Sequence, residues 1–566
     1  MARCALYHLV WLLALACTKK PEAPRRECGE CHRAQFDAWA RSHHARAQGV
    51  ADGGFEGHPV RFVIGAEPVR QAVVELDGGL HVAPFNLLDG EAIPPTLAGP
   101  AGDWRGPRYA WAGSCAPCHA TGFQVNAVKW RSLSVSCEAC HVSTDGGHAF
   151  TSLARINTFE FVDGGAIARP REVHADTQTA TCAQCHLRRR ALVDDGAPVR
   201  ALLDAFEPEL MTRGAFEPTG AMREEVFEAA SFLMSKMQRA GVRCSHCHEP
   251  HSGELRATGN ALCAQCHRAS VFDVEAHRGS SACVDCHMPE KTFLGSDRRR
   301  DHAFIVPGRA APAFGAAFGR EQGANELLLP VIRDAHESSF KRASALALLE
   351  APLSREAQQV IAESLASDDE WLRYGAVSAL PAVPPALRAK LGEAMLDDPR
   401  RAIRVRAARA IGRVTPEVLE AERANAFSGD AWLNLGALAQ DPKEAEALYR
   451  RGLAIDPAFV PLAINLADVS GDEGPLRAAA QQDSPWTNDA RYALGLSQWR
   501  RGEKRAALEN FRATRDGGVD AHLVAWCLAE REVNGADAGW RVLDLCQASR
   551  PGSSALRALR AGWSTP

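Results

Sequence analysis

No charge of either sign dominates this sequence. Its 65 lysines and arginines stand against 69 aspartates and glutamates, a formal charge of −4. It therefore has no basic field of the kind that nucleic-acid binding requires, and nucleic acid is not an expected partner. Beyond the first residues no segment is long and apolar enough to cross a membrane as a helix. Cysteine nearly vanishes from the second half, where only Cys527 and Cys546 follow Cys286, and histidine thins out with it, leaving His336 and His522 beyond His302. Tyrosine is scarce: of five in the chain, Tyr109 alone lies between residues 26 and 305.

What is present is concentrated at the front. Fourteen of the 18 cysteines lie between Cys28 and Cys286, and 17 of the 20 histidines between His32 and His302. At 566 residues the chain is also too long for one core, and its composition divides it.

The cysteines form seven identical motifs. These are Cys28-Gly-Glu-Cys31-His32, Cys115-Ala-Pro-Cys118-His119, Cys137-Glu-Ala-Cys140-His141, Cys182-Ala-Gln-Cys185-His186, Cys244-Ser-His-Cys247-His248, Cys263-Ala-Gln-Cys266-His267 and Cys283-Val-Asp-Cys286-His287. Two residues between the cysteines let both sulfurs reach the two vinyl groups on one edge of a haem, and the next residue sets an imidazole beneath the iron. Zinc sites, a disulfide framework and thioredoxin-like redox pairs also use Cys-x-x-Cys, but none requires His after every pair. Cys₄ zinc would leave the seventh motif without a partner. The expected cofactors are seven haem c, with the 14 motif cysteines as thioether ligands and the seven motif histidines as proximal iron ligands.

Each proximal His leaves a sixth iron position. The region offers ten further histidines: His43, His44, His58, His81, His148, His174, His246, His251, His277 and His302. That supply covers bis-His ligation throughout. His246 lies inside its own motif and cannot reach that haem from the other face. The basic runs Arg188-Arg189-Arg190 and Arg298-Arg299-Arg300 read either as solvated loops or as partners of haem propionates.

Residues 1–17 read as a signal peptide, with an apolar run from Ala5 to Ala16. Ala14-Leu15-Ala16 satisfies the rule for ordinary cleavage, whereas Cys17, followed by a polar Pro-containing stretch, stands where a bacterial lipoprotein is acylated. The second reading, favoured here, makes Cys17 a membrane tether. A periplasmic or outer-membrane-anchored lipoprotein of a Gram-negative bacterium is expected, in keeping with haem attachment outside the cytoplasm.

The expected fold is mainly α. Residues 26–305 would form a haem-packed cytochrome domain with little regular structure. It includes a small β-meander, Val60 to Ile64, Gln71 to Glu75 and Leu80 to Val82, turning at Asp77-Gly78-Gly79. A helix is expected from Glu224 to Met237, and residues 306–318, with Pro307, Gly308, Pro312 and Gly315, read as a linker. The rest reads as an α-solenoid. Residues 319–416 carry HEAT-like repeats, aligning Phe340, Leu372 and Ile403 at a spacing of 31 to 32 residues. Residues 428–560 carry tetratricopeptide-like repeats: Trp432, Leu435, Gly436 and Tyr449 in one unit, Leu494, Gly495, Ala507 and Phe511 in another. A generic helical bundle is the plainer alternative.

Local phrases around the motifs resemble a bacterial family of multihaem cytochromes c that carries tetratricopeptide repeats. Its haem part is related to multihaem nitrite reductases, hydroxylamine oxidoreductases and their electron-transfer partners. The phrases are Trp39-Ala-Arg-Ser42-His43-His44, Cys244-Ser-His-Cys247-His248-Glu-Pro-His251, Cys283-Val-Asp-Cys286-His287-Met288-Pro289 and Arg299-Arg300-Asp301-His302. The resemblance implies His44, His251, His277 and His302 as distal ligands, with His148 added by position and His58, His81 and His174 as remaining candidates. It departs from pentahaem nitrite reductases, which usually carry Lys at the catalytic haem, because every motif here ends in His. With Tyr109 as the region's lone tyrosine, a tyrosine-linked haem has little material. Two functional classes follow. One is an electron carrier whose repeats dock redox partner proteins. The other is an oxidoreductase acting on a small nitrogen or sulfur species at one five-coordinate haem.

Overall fold

A computed structural model describes residues 28–564 apart from 52, 67–68, 77–78, 89–90, 94–105, 107–108, 142–158, 162–167, 171–174, 198–200, 225–226, 268–281, 294–296, 309–310, 458, 482–485 and 517–518. The expected leader with Cys17, the turn at Asp77-Gly78, and the candidate ligands His148, His174 and His277 lie outside the described residues. The chain is mainly helical, with a small antiparallel sheet near the front and a long run of helices behind it.

After helix α1 (Arg33–Ala40) comes the sheet: β1 (Gln48–Val50), β2 (Gly54–Phe55), β3 (His58–Ile64), β4 (Val69–Leu76), β5 (Gly79–Leu88) and β6 (Glu91–Ile93). The strands run in the order β1-β3-β4-β5-β6, with β2 on β3, and every pair is antiparallel. The expected meander is its centre. Valines at 73, 74 and 82 are buried, as β-branched residues on a half-covered sheet should be. One face packs on Trp111, whose indole N–H donates to Gln48 at 2.9 Å and whose ring meets Phe62, Phe123 and Trp130. Ala116 and Ala120 join that cluster, so the sheet braces the second motif.

Further on lie α2 (Ala175–His186), the hairpin β9 (Arg189–Ala191) and β10 (Phe206–Pro208), α3 (Glu228–Leu233), α4 (Lys236–Arg239), and the hairpin β11 (Glu290–Phe293) and β12 (Asp297–Arg300); β7 (Phe159–Phe161) pairs with β8 (Ala168–Pro170) ahead of α2. The helix expected over 224–237 is shorter and broken. It starts at Glu228, after Phe227 at φ 63°, and ends where the Ser235 hydroxyl accepts the Gln238 N–H at 3.2 Å, capping α4 instead of continuing α3.

Residues 312–318 of the expected linker lie in α5 (Pro312–Gly319), a correction to the reading of that stretch. Proline at the first helical position needs no N–H partner, and Phe314 and Phe318, one turn apart, are buried. Thereafter come α6 (Ala324–Arg333), α7 (Ser339–Ala347), α8 (Arg355–Leu365), α9 (Glu370–Ala379), α10 (Pro385–Glu393), α11 (Arg401–Ala410) and α12 (Pro416–Ala424). The three aligned segments of the sequence fall on α7, α9 and α11, each followed by a second helix, α8, α10 and α12. Gly375 on α9 permits close approach: a Cβ there would sit 2.5 Å from the Ala343 backbone of α7.

The solenoid continues through α13 (Gly429–Leu438), α14 (Pro442–Ile455), α15 (Val460–Ser470), α16 (Gly474–Ala479), α17 (Thr487–Arg500), α18 (Lys504–Ala513), α19 (Asp520–Asn534), α20 (Ala536–Ser549) and α21 (Ser554–Ser564). Gly436 lies against the Tyr449 ring and Gly495 against Phe511, the small-to-aromatic contacts expected from the sequence.

The front and the first helical repeats share a core. One buried cluster joins Leu203, Phe216 and Leu233 of the front to Phe314, Phe340, Tyr374 and Ala407 behind. Buried polar contacts run across the same seam. The Tyr374 hydroxyl donates to the Pro208 carbonyl at 2.8 Å, and Glu207, its side chain 4% exposed, accepts from Arg406 at 3.1 Å and Arg409 at 2.6 Å. Arg409 also reaches Glu422 at 2.7 Å, and Glu422 meets Arg190 of β9. Burial works against the ionised form of Glu207, and the two guanidinium groups more than offset it, holding its pKa below the ordinary carboxylate value.

Candidate haem-binding cavity

Each motif is about one turn of helix. The His N–H donates to the carbonyl of the first cysteine, at 2.9 Å for His32, 3.0 Å for His119, 2.8 Å for His141 and His248, and 3.0 Å for His267. A helical turn puts residues i, i+3 and i+4 on one face, so both sulfurs and the imidazole are presented together.

The motifs converge on a single cavity of about 3230 Å³, several times the volume of a typical small-ligand pocket. All seven motif histidines line it, as do all the motif cysteines except Cys31. Neighbouring motifs touch. Cys118 and Cys185 point at each other's carbonyls at 3.9 and 3.8 Å. Cys28 meets Cys137, Cys182 meets Cys244, and Cys263 meets Cys283. Cys140 lies near Cys182 and Cys185, and Cys247 near Cys263 and Cys266. The motifs therefore run in the spatial order first, third, fourth, fifth, sixth, seventh, with the second set beside the fourth.

Three non-motif histidines face motif histidines across the cavity. The ring centroids of His141 and His251, of His44 and His186, and of His248 and His302 are each 6.3 Å apart, with interplanar angles of 9°, 68° and 29°. An imidazole nitrogen about 2 Å from a metal on each side, with each ring centre about 1.1 Å behind its nitrogen, sets the centroids about 6.2 Å apart. The spacing thus leaves room for one iron between each pair, and the residues present fit bis-His haem.

The outward nitrogens are held as in metal-ligating imidazoles, whose second ring nitrogen meets a carbonyl or carboxylate. Nδ1 faces the Ala47 carbonyl in His119 (3.1 Å), Ile305 in His287 (2.8 Å), Gly253 in His248 (3.5 Å) and Arg300 in His302 (2.9 Å). Two meet carboxylates: His251 with Glu249 at 2.9 Å and His186 with Glu228 at 3.5 Å. Burial lowers the pKa of His44, His141 and His248, favouring the neutral form that binds metal, whereas the Glu228 hydrogen bond raises that of His186.

Of the candidate distal residues, His44, His251 and His302 are brought to the cavity. His58 on β3 and His81 on β5 are not among its lining residues; they sit in the sheet, which reaches the cavity through Ile64, Val69, Gln71 and Val82 instead. His246 is buried with Nδ1 accepting the Arg243 N–H at 3.0 Å, and burial brings its pKa down to about 4. Neither basic run is a simple solvated loop. Arg188 pairs with Glu209, Arg189 stacks 3.8 Å over Phe206, and Arg190 is spent on the repeats through Glu422 and Asp430. Arg298, Arg299 and Arg300 line the cavity while paired to Glu290, Asp297 and Asp285. The sequence reading missed Glu228 and Glu249; the position of Glu249, between a motif and His251, was the available signal.

Comparison with known families gives two matches. Residues 238–272 match the doubled CXXCH motif, and residues 27–54 match cytochrome c554 and c-prime. Both support a multihaem c-type cytochrome. No curated protein matches the chain. The 238–272 match spans the fifth and sixth motifs together with His251, and the 27–54 match spans the first motif with His44, so both matches include a non-motif histidine from one of the 6.3 Å pairs.

Proposed function

We propose that this chain is an exported electron carrier holding seven haems c, with its helical repeats docking redox partner proteins. The observation that carries the reading is the set of three ring pairs at 6.3 Å, each made of one motif histidine and one non-motif histidine. Haem c bound at the motif cysteines supplies a one-electron iron couple. The chain's own residues do the rest. His251, His44 and His302 close the sixth positions opposite His141, His186 and His248, which removes substrate access at the third, fourth and fifth haems. His148, His174 and His277 are assigned to three of the four remaining motifs, and His43, which lines the cavity, to the other. The motif turns bring neighbouring motif cysteines together along the cavity, and Cys31 of the first motif is exposed and outside the cavity lining, so one end of the row lies near the surface. An acylated Cys17 would tether the assembly to a membrane facing the periplasm or cell exterior.

Electron paramagnetic resonance of the oxidised protein tests the carrier reading. Low-spin ferric signals alone are expected. A substantial high-spin signal that moves on adding nitrite or cyanide would overturn it in favour of an oxidoreductase acting on a small nitrogen or sulfur species.

A further inference from the structure

Four consecutive residues touch three of the ligand pairs. His248 is the motif histidine of the fifth haem, Pro250 offers its carbonyl to His44 of the fourth, and His251 stands opposite His141 of the third. Between them Glu249 places Oε1 at 2.9 Å from His251 Nδ1, while its Oε2 accepts the backbone N–H groups of His251 at 3.0 Å and Ser252 at 2.7 Å. The carboxylate is thus aimed at the ring by its own backbone. The fourth pair has a weaker counterpart: Glu228 stands 3.5 Å from His186 Nδ1, and Arg299, 3.7 Å from the same carboxylate, offsets part of its charge. The fifth pair has carbonyls only, from Gly253 and Arg300.

A carboxylate on the outer N–H of a ligating imidazole makes that ring a stronger donor and adds a negative charge beside the iron. Both effects favour the ferric state and lower the potential. We propose that Glu249 and Glu228 are positioning residues that grade the haem potentials, with the third haem lowest, the fourth next and the fifth highest of the three. The grading rests on the bis-His reading above. It makes the segment 248–251 the junction where the electron's downhill direction is set, from the third group towards the fifth.

Among these three pairs the ring angles set the fourth haem apart from the third and fifth. Near-parallel imidazoles, 9° in the third pair, give a rhombic low-spin signal, whereas the 68° of the fourth pair gives one with a large maximum g value. The test is a potentiometric titration of the haem-loaded full chain, read by electron paramagnetic resonance, for wild type, Glu249→Gln and Glu228→Gln. Glutamine keeps an acceptor on the ring N–H and removes the charge. Glu249→Gln is expected to raise the midpoint of a rhombic signal, and Glu228→Gln to raise that of the large-g signal by less, with haem content and low-spin state retained in both. Unchanged midpoints in loaded, low-spin variants would overturn the proposal and leave the carrier reading standing. Loss of the low-spin signal in Glu249→Gln would also overturn it, by showing that the side chain holds the ligand in place and does not act through its charge. A high-spin wild type would instead count against the carrier reading itself.

Discussion

Replacing Arg409 by methionine should loosen both halves of the molecule at once. The substitution keeps most of the apolar stem and removes two charge-assisted hydrogen bonds, to Glu207 at 2.6 Å and Glu422 at 2.7 Å. Each such bond contributes about 1.5–3 kcal/mol, and breaking a buried pair costs about 3–5 kcal/mol. Two features favour the lower end: the Arg409 side chain is 28% exposed, and the two carboxylates keep Arg406 and Arg190. A cost of about 3 kcal/mol corresponds to a roughly 100-fold rise in the local opening equilibrium. Hydrogen exchange by mass spectrometry, on the haem-loaded chain, reads this without assuming two-state unfolding. Peptides covering β9 and β10 should exchange faster together with those covering α11 and α12. The double variant with Glu207→Gln should cost less than the sum of the singles, as expected of neighbours in one network. Faster exchange confined to α11 and α12 would refute the shared core.

Acid should open the same seam. Because the folded pKa of Glu207 lies below its unfolded value, its contribution is present above the ordinary Glu range near about 4.3 and is lost as pH falls through the lower folded value, a transition that Glu207→Gln should abolish in acid-titrated exchange. Gly375→Ala should cost about 1–3 kcal/mol, seen as faster proteolysis within α7 to α9, because the new methyl meets unyielding Ala343 backbone. Removing residues 429–566 should preserve haem loading, measured by absorbance per chain, since the fully buried members of the shared cluster end at Ala421. Removing 319–566 should not, because it strips Phe340, Tyr374 and Ala407 from that cluster.

The motifs were legible because they are local: Cys, Cys and His on a single helical turn state their geometry in five residues. The meander and the helical repeats were legible from periodicity for the same reason. The ligand pairs were not, because His44 meets His186 and His141 meets His251 across more than a hundred residues, and a lone histidine carries no sign of where it points. His58 and His81 illustrate this, being strand residues that are not among those lining the cavity. The linker reading missed α5 because proline and glycine also suit a helix start, and the two buried phenylalanines of α5 had no visible partner. Glu207 was unreadable as a buried residue until Arg406 and Arg409, about two hundred positions later, were brought to it.

The most direct measurement is the number of haems carried by one chain, from an alkaline pyridine spectrum calibrated to protein concentration and checked by intact mass. Seven covalently bound haems per chain are expected, held by the paired cysteines of all seven motifs. A value near zero would contradict the account at its foundation, whatever the shape of the cavity.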